Sequence, residues 1–164
     1  MPPNYDEART RFIADAMLGS LSRKLRALGF DTTYYKTGND SGILTEAHAQ
    51  KRLMLTSDRS LAALASSKGL GVILVAGKSD GERISVISRA AAASGTRLVR
   101  GDPLCSLCGC DLLSRRRADV LGKVPPSVVV RHRVFYRCRG CGHYYWRGSH
   151  WKKLRSLSRR LEPK

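Results

Sequence analysis

The sequence predicts an α/β chain: a mainly parallel sheet with helices on both faces, followed by a small C-terminal metal-held ribbon. Three observations carry this. In residues 1–100, short apolar or β-branched runs alternate with stretches of helical periodicity, the pattern of strand–helix–strand crossovers. All five cysteines lie beyond residue 100, and Cys105, Cys108, Cys138 and Cys141 form two Cys-x-x-Cys pairs. The charge shifts at the same boundary: residues 1–100 hold 15 Lys/Arg against 9 Asp/Glu, and residues 101–164 hold 15 against 4. Gly101-Asp102-Pro103 reads as the turn between the two parts. The expected division is a sheet domain over 10–100, a ribbon over 101–151 and a basic C-terminal segment over 152–164.

Each element has its own signal. Arg11-Phe12-Ile13-Ala14-Asp15 is an apolar run stopped by an acid, a strand. Leu18, Leu21, Leu25 and Leu28 recur at helical spacing and Gly29 ends that helix. Thr32 to Tyr35 is β-branched and aromatic, a second strand. After the polar loop from Lys36 to Asp40, Ser41 to Lys51 reads as helix. Leu53 to Asp58 is a third strand, again ending on an acid; Arg59 to Lys68 is helical and Gly69 closes it. Gly71 to Ala76 is a fourth strand, and the Ala-rich stretch from Ser79 to Ser94 a helix. In the ribbon, Ser127-Val128-Val129-Val130 and Val134-Phe135-Tyr136 are expected to supply strands.

Composition narrows the function classes. The chain has 164 residues, 42% of them hydrophobic, which is enough for a real core and excludes wholesale disorder. No run approaches the roughly 20 apolar residues that cross a bilayer. Met1 to Glu7 has neither a basic start nor an apolar stretch, so no export signal is expected there and the expected location is the cytoplasm. A net charge of +17, weighted to the last third, favours a polyanionic partner over a membrane.

In an open parallel sheet the ligand site lies beyond the carboxyl ends of the strands. Asp15 and Asp58 fall there, and Asp40 leads into a neighbouring helix. Converging carboxylates repel one another unless a cation neutralises them, and Mg²⁺ or Mn²⁺ suits oxygen ligands. Each acid also has a structural reading: Asp58 before Arg59-Ser60-Leu61 suits a helix N-cap, and Asp40-Ser41-Gly42 suits a turn. Other α/β chemistries fail on particular residues. Asp15-Ala16-Met17-Leu18-Gly19 is no dinucleotide fingerprint, and Met17 stands where an aspartyl phosphatase has its second acid. Gly77-Lys78-Ser79 lacks the leading glycine of a P-loop, since position 72 is Val72, and no Gly-x-Ser-x-Gly elbow occurs.

The cysteine pairs are the sharper signal. With 29 residues between them, Cys105-x-x-Cys108 and Cys138-x-x-Cys141 match a tetrahedral S₄ site for structural Zn²⁺. Gly109 and Gly142 follow the two hooks and ease tight turns. Cys110 is a spare thiol or a substitute for Cys108, and His143 and His150 are alternative ligands. Around the second hook, Arg137, Arg139, Tyr144, Tyr145, Trp146, Arg147 and Trp151-Lys152-Lys153 interleave aromatics with cations, a pattern that stacks bases and holds phosphates. At least one of Tyr145 and Trp146 is expected instead to pack the ribbon on the larger domain.

Phe12-Ile13-Ala14-Asp15-Ala16-Met17-Leu18-Gly19, Leu21 to Gly29 and Leu55-Thr56-Ser57-Asp58-Arg59 resemble the Mut-seven C-terminal RNase domain family. The paired cysteine hooks and Gly142 to His150 extend the resemblance over roughly residues 11–151. It implies a PIN-like α/β fold with an appended zinc ribbon, and a ribonuclease that uses Mg²⁺ or Mn²⁺. Carried across by position, Asp15, Asp40 and Asp58 are the metal-binding acids, and Arg23, Lys24 and Arg59 face RNA phosphates. Arg147, Lys152 and Lys153 are the RNA-binding residues expected in the ribbon and tail. Family members often carry further acids after the position of Asp40, whereas Ser41 and Gly42 stand here, and Asp80 is the nearest candidate for a fourth carboxylate. The partner that the resemblance implies is RNA, ribosomal or transfer RNA included, with the ribosome or an acidic inhibitor protein as further expectations; an RNA- or ribosome-binding protein without catalysis on the same fold is the alternative expectation.

Overall fold

The structure is a computed structural model that describes residues 9–161, apart from the side chains of Ser149 and His150. The stretch from Met1 to Glu7, read above for an export signal, lies outside the described residues, as do 8 and 162–164. Strands β1 (Arg11–Ala14), β2 (Asp31–Tyr34), β3 (Leu53–Thr56) and β4 (Val72–Leu74) form one sheet in the order β2-β1-β3-β4, every pair parallel. Between and after them run α1 (Gly19–Ala27), α2 (Asp40–Ala49), α3 (Arg59–Ser67) and α4 (Asp80–Ala93). A 3-10 turn, Ala16–Leu18, precedes α1.

Period-two alternation sends each strand's side chains to two different cores. Phe12, Ala14, Leu55 and Ile73 face Leu21 and Leu25 of α1 and Ile84 and Ile87 of α4. Ile13 and Met54 face Ile43, Leu44 and Ala47 of α2 and Leu61 and Ala65 of α3. Helices therefore cover both faces, as the sequence predicts. Sealing a Phe, Leu or Ile side chain this way contributes about 1.5–3 kcal/mol each. Helix starts carry side-chain caps: Asn39 accepts from the Gly42 N–H, Asp58 from Ser60 and Leu61, and Ser79 from Glu82.

The C-terminal part holds a second, antiparallel sheet of β5 (Leu112–Arg115), β6 (Phe135–Cys138) and β7 (Tyr144–Trp146) in that order. The expected strand at Ser127–Val130 is overturned: these residues lie in a helix, α6 (Pro126–Arg131), which follows the short α5 (Arg117–Val120). Pro125-Pro126 starts that helix, because a proline near N1 has its φ already set and needs no N–H partner. Burial then selects one face: Val129 joins Val120, Val124 and Phe135 in a small third core, while Val130 is 76% exposed. Tertiary packing has overridden the β preference of a valine run.

The described part of the basic tail lies in α7 (Ser149–Ser158) and a 3-10 turn, Arg159–Leu161. Leu154, Leu157 and Leu161 line its inner side and pack on the core between the sheet and α4. Arg160 donates to the Ser85 hydroxyl at 3.2 Å, and Arg100 hydrogen-bonds Ser158. No helix among the described residues is long and apolar enough to cross a membrane.

Candidate functional site

In the order β2-β1-β3-β4 the chain leaves β1 toward one side of the sheet and β3 toward the other. The crevice between their carboxyl ends is the switch point of such sheets. Asp15 follows β1 directly and is only 6% exposed. Its Oδ1 accepts the Met17 N–H at 2.9 Å, while Oδ2 accepts from the Thr56 hydroxyl and from the Ser57 N–H at 3.3 Å. Thr56, fully buried at the end of β3, also accepts the Asp58 N–H at 3.0 Å. One hydroxyl thus bridges the two acidic segments. Asp58 spends Oδ1 on capping α3, accepting from Ser60 and Leu61 at 2.7 and 3.1 Å. The predicted N-cap is present, and Oδ2 of Asp58 accepts no hydrogen bond from the described residues.

Asp40 stands at the head of α2, on the same edge of the sheet, exposed and without a hydrogen bond to its carboxylate among the described residues. No link like Thr56 joins it to Asp15 or Asp58. Asp80, the candidate fourth acid, opens α4 at this edge too. It accepts from Ser20 at 3.0 Å and pairs with Lys24 and, at 3.6 Å, with Arg83. Burial pushes its pKa up, but the hydrogen bonds from Lys24 and Ser20 and the two cations outweigh that and hold it below the ordinary value. Lys24, expected to meet phosphate, is therefore engaged with Asp80, whereas Arg23 and Arg59 are exposed. Thr56 belongs to the Leu55-to-Arg59 motif of the sequence, yet its bridging role depends on the pairing of β1 with β3, which no local pattern contains.

The second site is the thiol cluster. The sulfurs of Cys105, Cys108, Cys138 and Cys141 all lie within 4.8 Å of one another, with close pairs at 3.6 Å (Cys105–Cys141) and 3.3 Å (Cys108–Cys138). A tetrahedron with Zn–S bonds of about 2.3 Å has edges of about 3.8 Å, so the donor set fits Zn²⁺. Each hook closes on a glycine at positive φ: Gly109 (+82°) donates to the Cys105 carbonyl at 2.8 Å, and Gly142 (+75°) to the Cys138 carbonyl at 3.2 Å. Hydrogen bonding from the Cys110 backbone lowers the Cys108 thiol to about 6, while burial raises Cys138 to about 12. Four thiols this close ionise together only around a cation. Cys110 contributes backbone instead, its carbonyl accepting the Cys105 N–H at 2.8 Å. His143 lies edge-on to Tyr145 with ring centres 4.8 Å apart, and the His150 side chain lies outside the described residues.

Tyr145 packs on the ribbon's own first hook: its hydroxyl lies 3.0 Å from the Cys105 sulfur and 3.3 Å from the Ser106 hydroxyl. Trp146 is 36% exposed, and among the described residues the hydrogen bonds given between the ribbon and the larger domain come from other residues. The chief of these is Arg26, which sequence reasoning did not single out. Only 8% exposed, it donates from Nε to the Thr32 carbonyl at 2.7 Å and from Nη1 to Leu107 and Ser106 at 2.9 and 3.3 Å. Arg147 stacks over Trp151 at 5.2 Å, and Lys152 and Lys153 are exposed on α7.

A parallel sheet flanked by helices, followed by a four-cysteine ribbon, is the fold that the resemblance implies; among the described residues the four cysteines are the only group of three or more acids, cysteines or histidines close enough to share a metal. No curated protein and no solved structure matches the chain. The family model described as the Mut7-C RNAse domain matches residues 10–158. By that match over nearly its whole length, the chain belongs to the Mut7-C RNAse domain family, whose name points to a nuclease-like function on RNA.

Proposed function

We propose that the chain is a metal-dependent ribonuclease whose acidic site is Asp15, Asp40 and Asp58 and whose ribbon and basic helix α7 hold the RNA. The observation that carries this is the bridge from Asp15 through Thr56 to the Asp58 segment, which fixes one buried and one exposed carboxylate at the switch point of the sheet. The donor set is hard oxygen: Oδ2 of Asp58 and the carboxylate of Asp40 are open, which suits Mg²⁺ or Mn²⁺. Such an ion supplies a water of lowered pKa and positive charge against the phosphate. The protein's part is to orient. Thr56 and the Met17 and Ser57 amides hold Asp15 in one rotamer, and the α3 cap holds Asp58. Arg23 and Arg59 provide exposed cations for the backbone of the substrate, while Arg147, Lys152 and Lys153 offer further phosphate contacts and Trp146 an exposed ring for stacking. A structural Zn²⁺ on the four cysteines keeps the ribbon in shape.

The second reading is an RNA- or ribosome-binding protein without catalysis, and one observation favours it: both oxygens of Asp15 and one of Asp58 already accept hydrogen bonds. Cleavage of labelled structured and single-stranded RNA separates the two. Runs with Mn²⁺, Mg²⁺ and EDTA compare the protein with Asp58→Asn, which keeps a capping oxygen and removes the charge. The nuclease reading expects metal-dependent cutting that the variant loses, with RNA affinity unchanged or slightly raised. Salt-sensitive binding by both proteins with no cutting under any metal supports the second.

A further inference from the structure

We propose that Arg26 couples the metal centre to the sheet domain, so that a metal ion on the four cysteines tightens α1 and β2. The inference rests on the reading of that cluster as a zinc site. Arg26 lies in the last turn of α1 and faces inward, buried at 8% exposure. A buried guanidinium persists only where its donors are matched. Its partners come from both halves of the molecule: the Thr32 carbonyl in β2, and the Ser106 and Leu107 carbonyls between the two cysteines of the first hook. These residues lie 80 and 81 positions away in sequence. The backbone repeats the junction. The Leu104 N–H donates to the Arg26 carbonyl at 2.9 Å, and the Gly101 N–H to the Gly29 carbonyl at 2.8 Å. At Gly29 (φ +94°), a Cβ would stand 2.1 Å from the Gly101 carbonyl oxygen, so the two chains meet at backbone distance.

Charge strengthens the case. Four thiolates around one Zn²⁺ carry a net charge of −2, and Arg26 is the buried cation against their first hook. The guanidinium thus orients the carbonyls that shape the Cys105–Cys108 turn and offsets charge in a poorly hydrated junction. Because the same fork binds Thr32, whatever orders the hook also orders the end of α1 and the start of β2. Linkage makes this reciprocal: a tighter α1 holds metal more firmly, and bound metal protects α1. Arg26 is in this sense a positioning residue for the metal centre, acting from the other domain.

The test uses the full chain. Metal analysis comes first, and a chain that takes up no zinc overturns the underlying metal reading before any coupling is measured. With zinc bound, competition against a chromophoric chelator compares the protein with Arg26→Lys and Arg26→Gln. The expected loss is about 10–100-fold in zinc affinity for Arg26→Gln, the range typical of outer partners of metal ligands, and a smaller loss for Arg26→Lys, which keeps the charge without the fork. Hydrogen exchange on the unmodified protein gives the second readout. Chelation is expected to speed exchange of the α1 and β2 amides at least about tenfold more than that of the α3 amides, which sit on the opposite face. Equal responses of α1 and α3, or a folded Arg26→Gln with undiminished zinc affinity, overturn the proposal. Should Arg26→Gln fail to fold, the exchange comparison decides alone.

Discussion

The sheet domain and the ribbon are held by different forces. Two apolar layers, one under α1 and α4 and one under α2 and α3, fill the sheet domain with fully buried Phe, Leu, Ile and Met side chains. The ribbon has one small core of Val120, Val124, Val129 and Phe135, and its strands are short. A core that small stabilises little by itself, and the ribbon also brings together four cysteines that fit one Zn²⁺, whose binding would add the missing stability. The difference teaches where periodicity can be trusted. Elements held by burial announce themselves in the spacing of apolar residues, and elements held by a metal need not.

Breaking the metal side gives the largest expected effect. Cys138→Ser removes one ligand; apparent structural zinc energies run to about 10–16 kcal/mol in small zinc domains, so loss of stoichiometric zinc and of amide protection across β5, β6 and β7 is expected. Amides of β1, β3 and α3 should stay protected in the same exchange experiment. Ribbon strands that remain protected without zinc would mean that the small valine core suffices.

Breaking the apolar side comes next. Phe12 is fully buried and packs on Phe30 with ring centres 5.3 Å apart. Phe12→Ala should cost about 3–5 kcal/mol in denaturant unfolding, with no change in the zinc-to-protein ratio of the folded material. A large fall in zinc content there would show that the two regions fail together.

The smallest effect sharpens the comparison at the sheet edge. The Asp80 carboxyl titrates below its ordinary value in the folded chain, so its contribution is complete above the unfolded pKa and is lost as pH falls through the folded one. Lys24 is 38% exposed and solvent screens the pair, which keeps the contribution to about 1 kcal/mol or less. Asp80→Asn should therefore lower stability slightly at neutral pH and leave it equal to the parent once the pH lies below the lowered pKa of the folded Asp80 carboxyl. An unchanged gap at low pH would assign the loss to packing rather than charge.

Much of the sheet domain was legible in the sequence, and the reason is local. Leu18, Leu21 and Leu25 repeat at the helical period because one side of α1 is buried, and Phe12 and Ile13 are both apolar because β1 is buried on both faces. The cysteine hooks were legible because ligand spacing follows from the turn that presents two sulfurs to one ion. Ser127–Val130 reads as strand in the sequence because its valines favour β structure, whereas Pro125-Pro126 and the burial of Val129 make it a helix. Leu112-Leu113-Ser114-Arg115 of β5 does not alternate apolar with polar residues, and Tyr144-Tyr145-Trp146 of β7, though made of β formers, reads equally as a base-stacking run, so neither strand is named by the sequence.

By itself, then, the sequence determined the alternation of strands and helices, the acids at the strand ends, the two cysteine pairs that can share a metal and the concentration of positive charge. Tertiary structure alone decided the strand order that brings Asp15 and Thr56 together, the pairing of Lys24 with Asp80, the return of α7 onto α4, and the burial of Arg26 against the first hook. Each of these depends on residues far apart in the chain meeting at hydrogen-bond or van der Waals distance. Sequence periodicity records which side of an element is buried, and it carries no record of what that side is buried against.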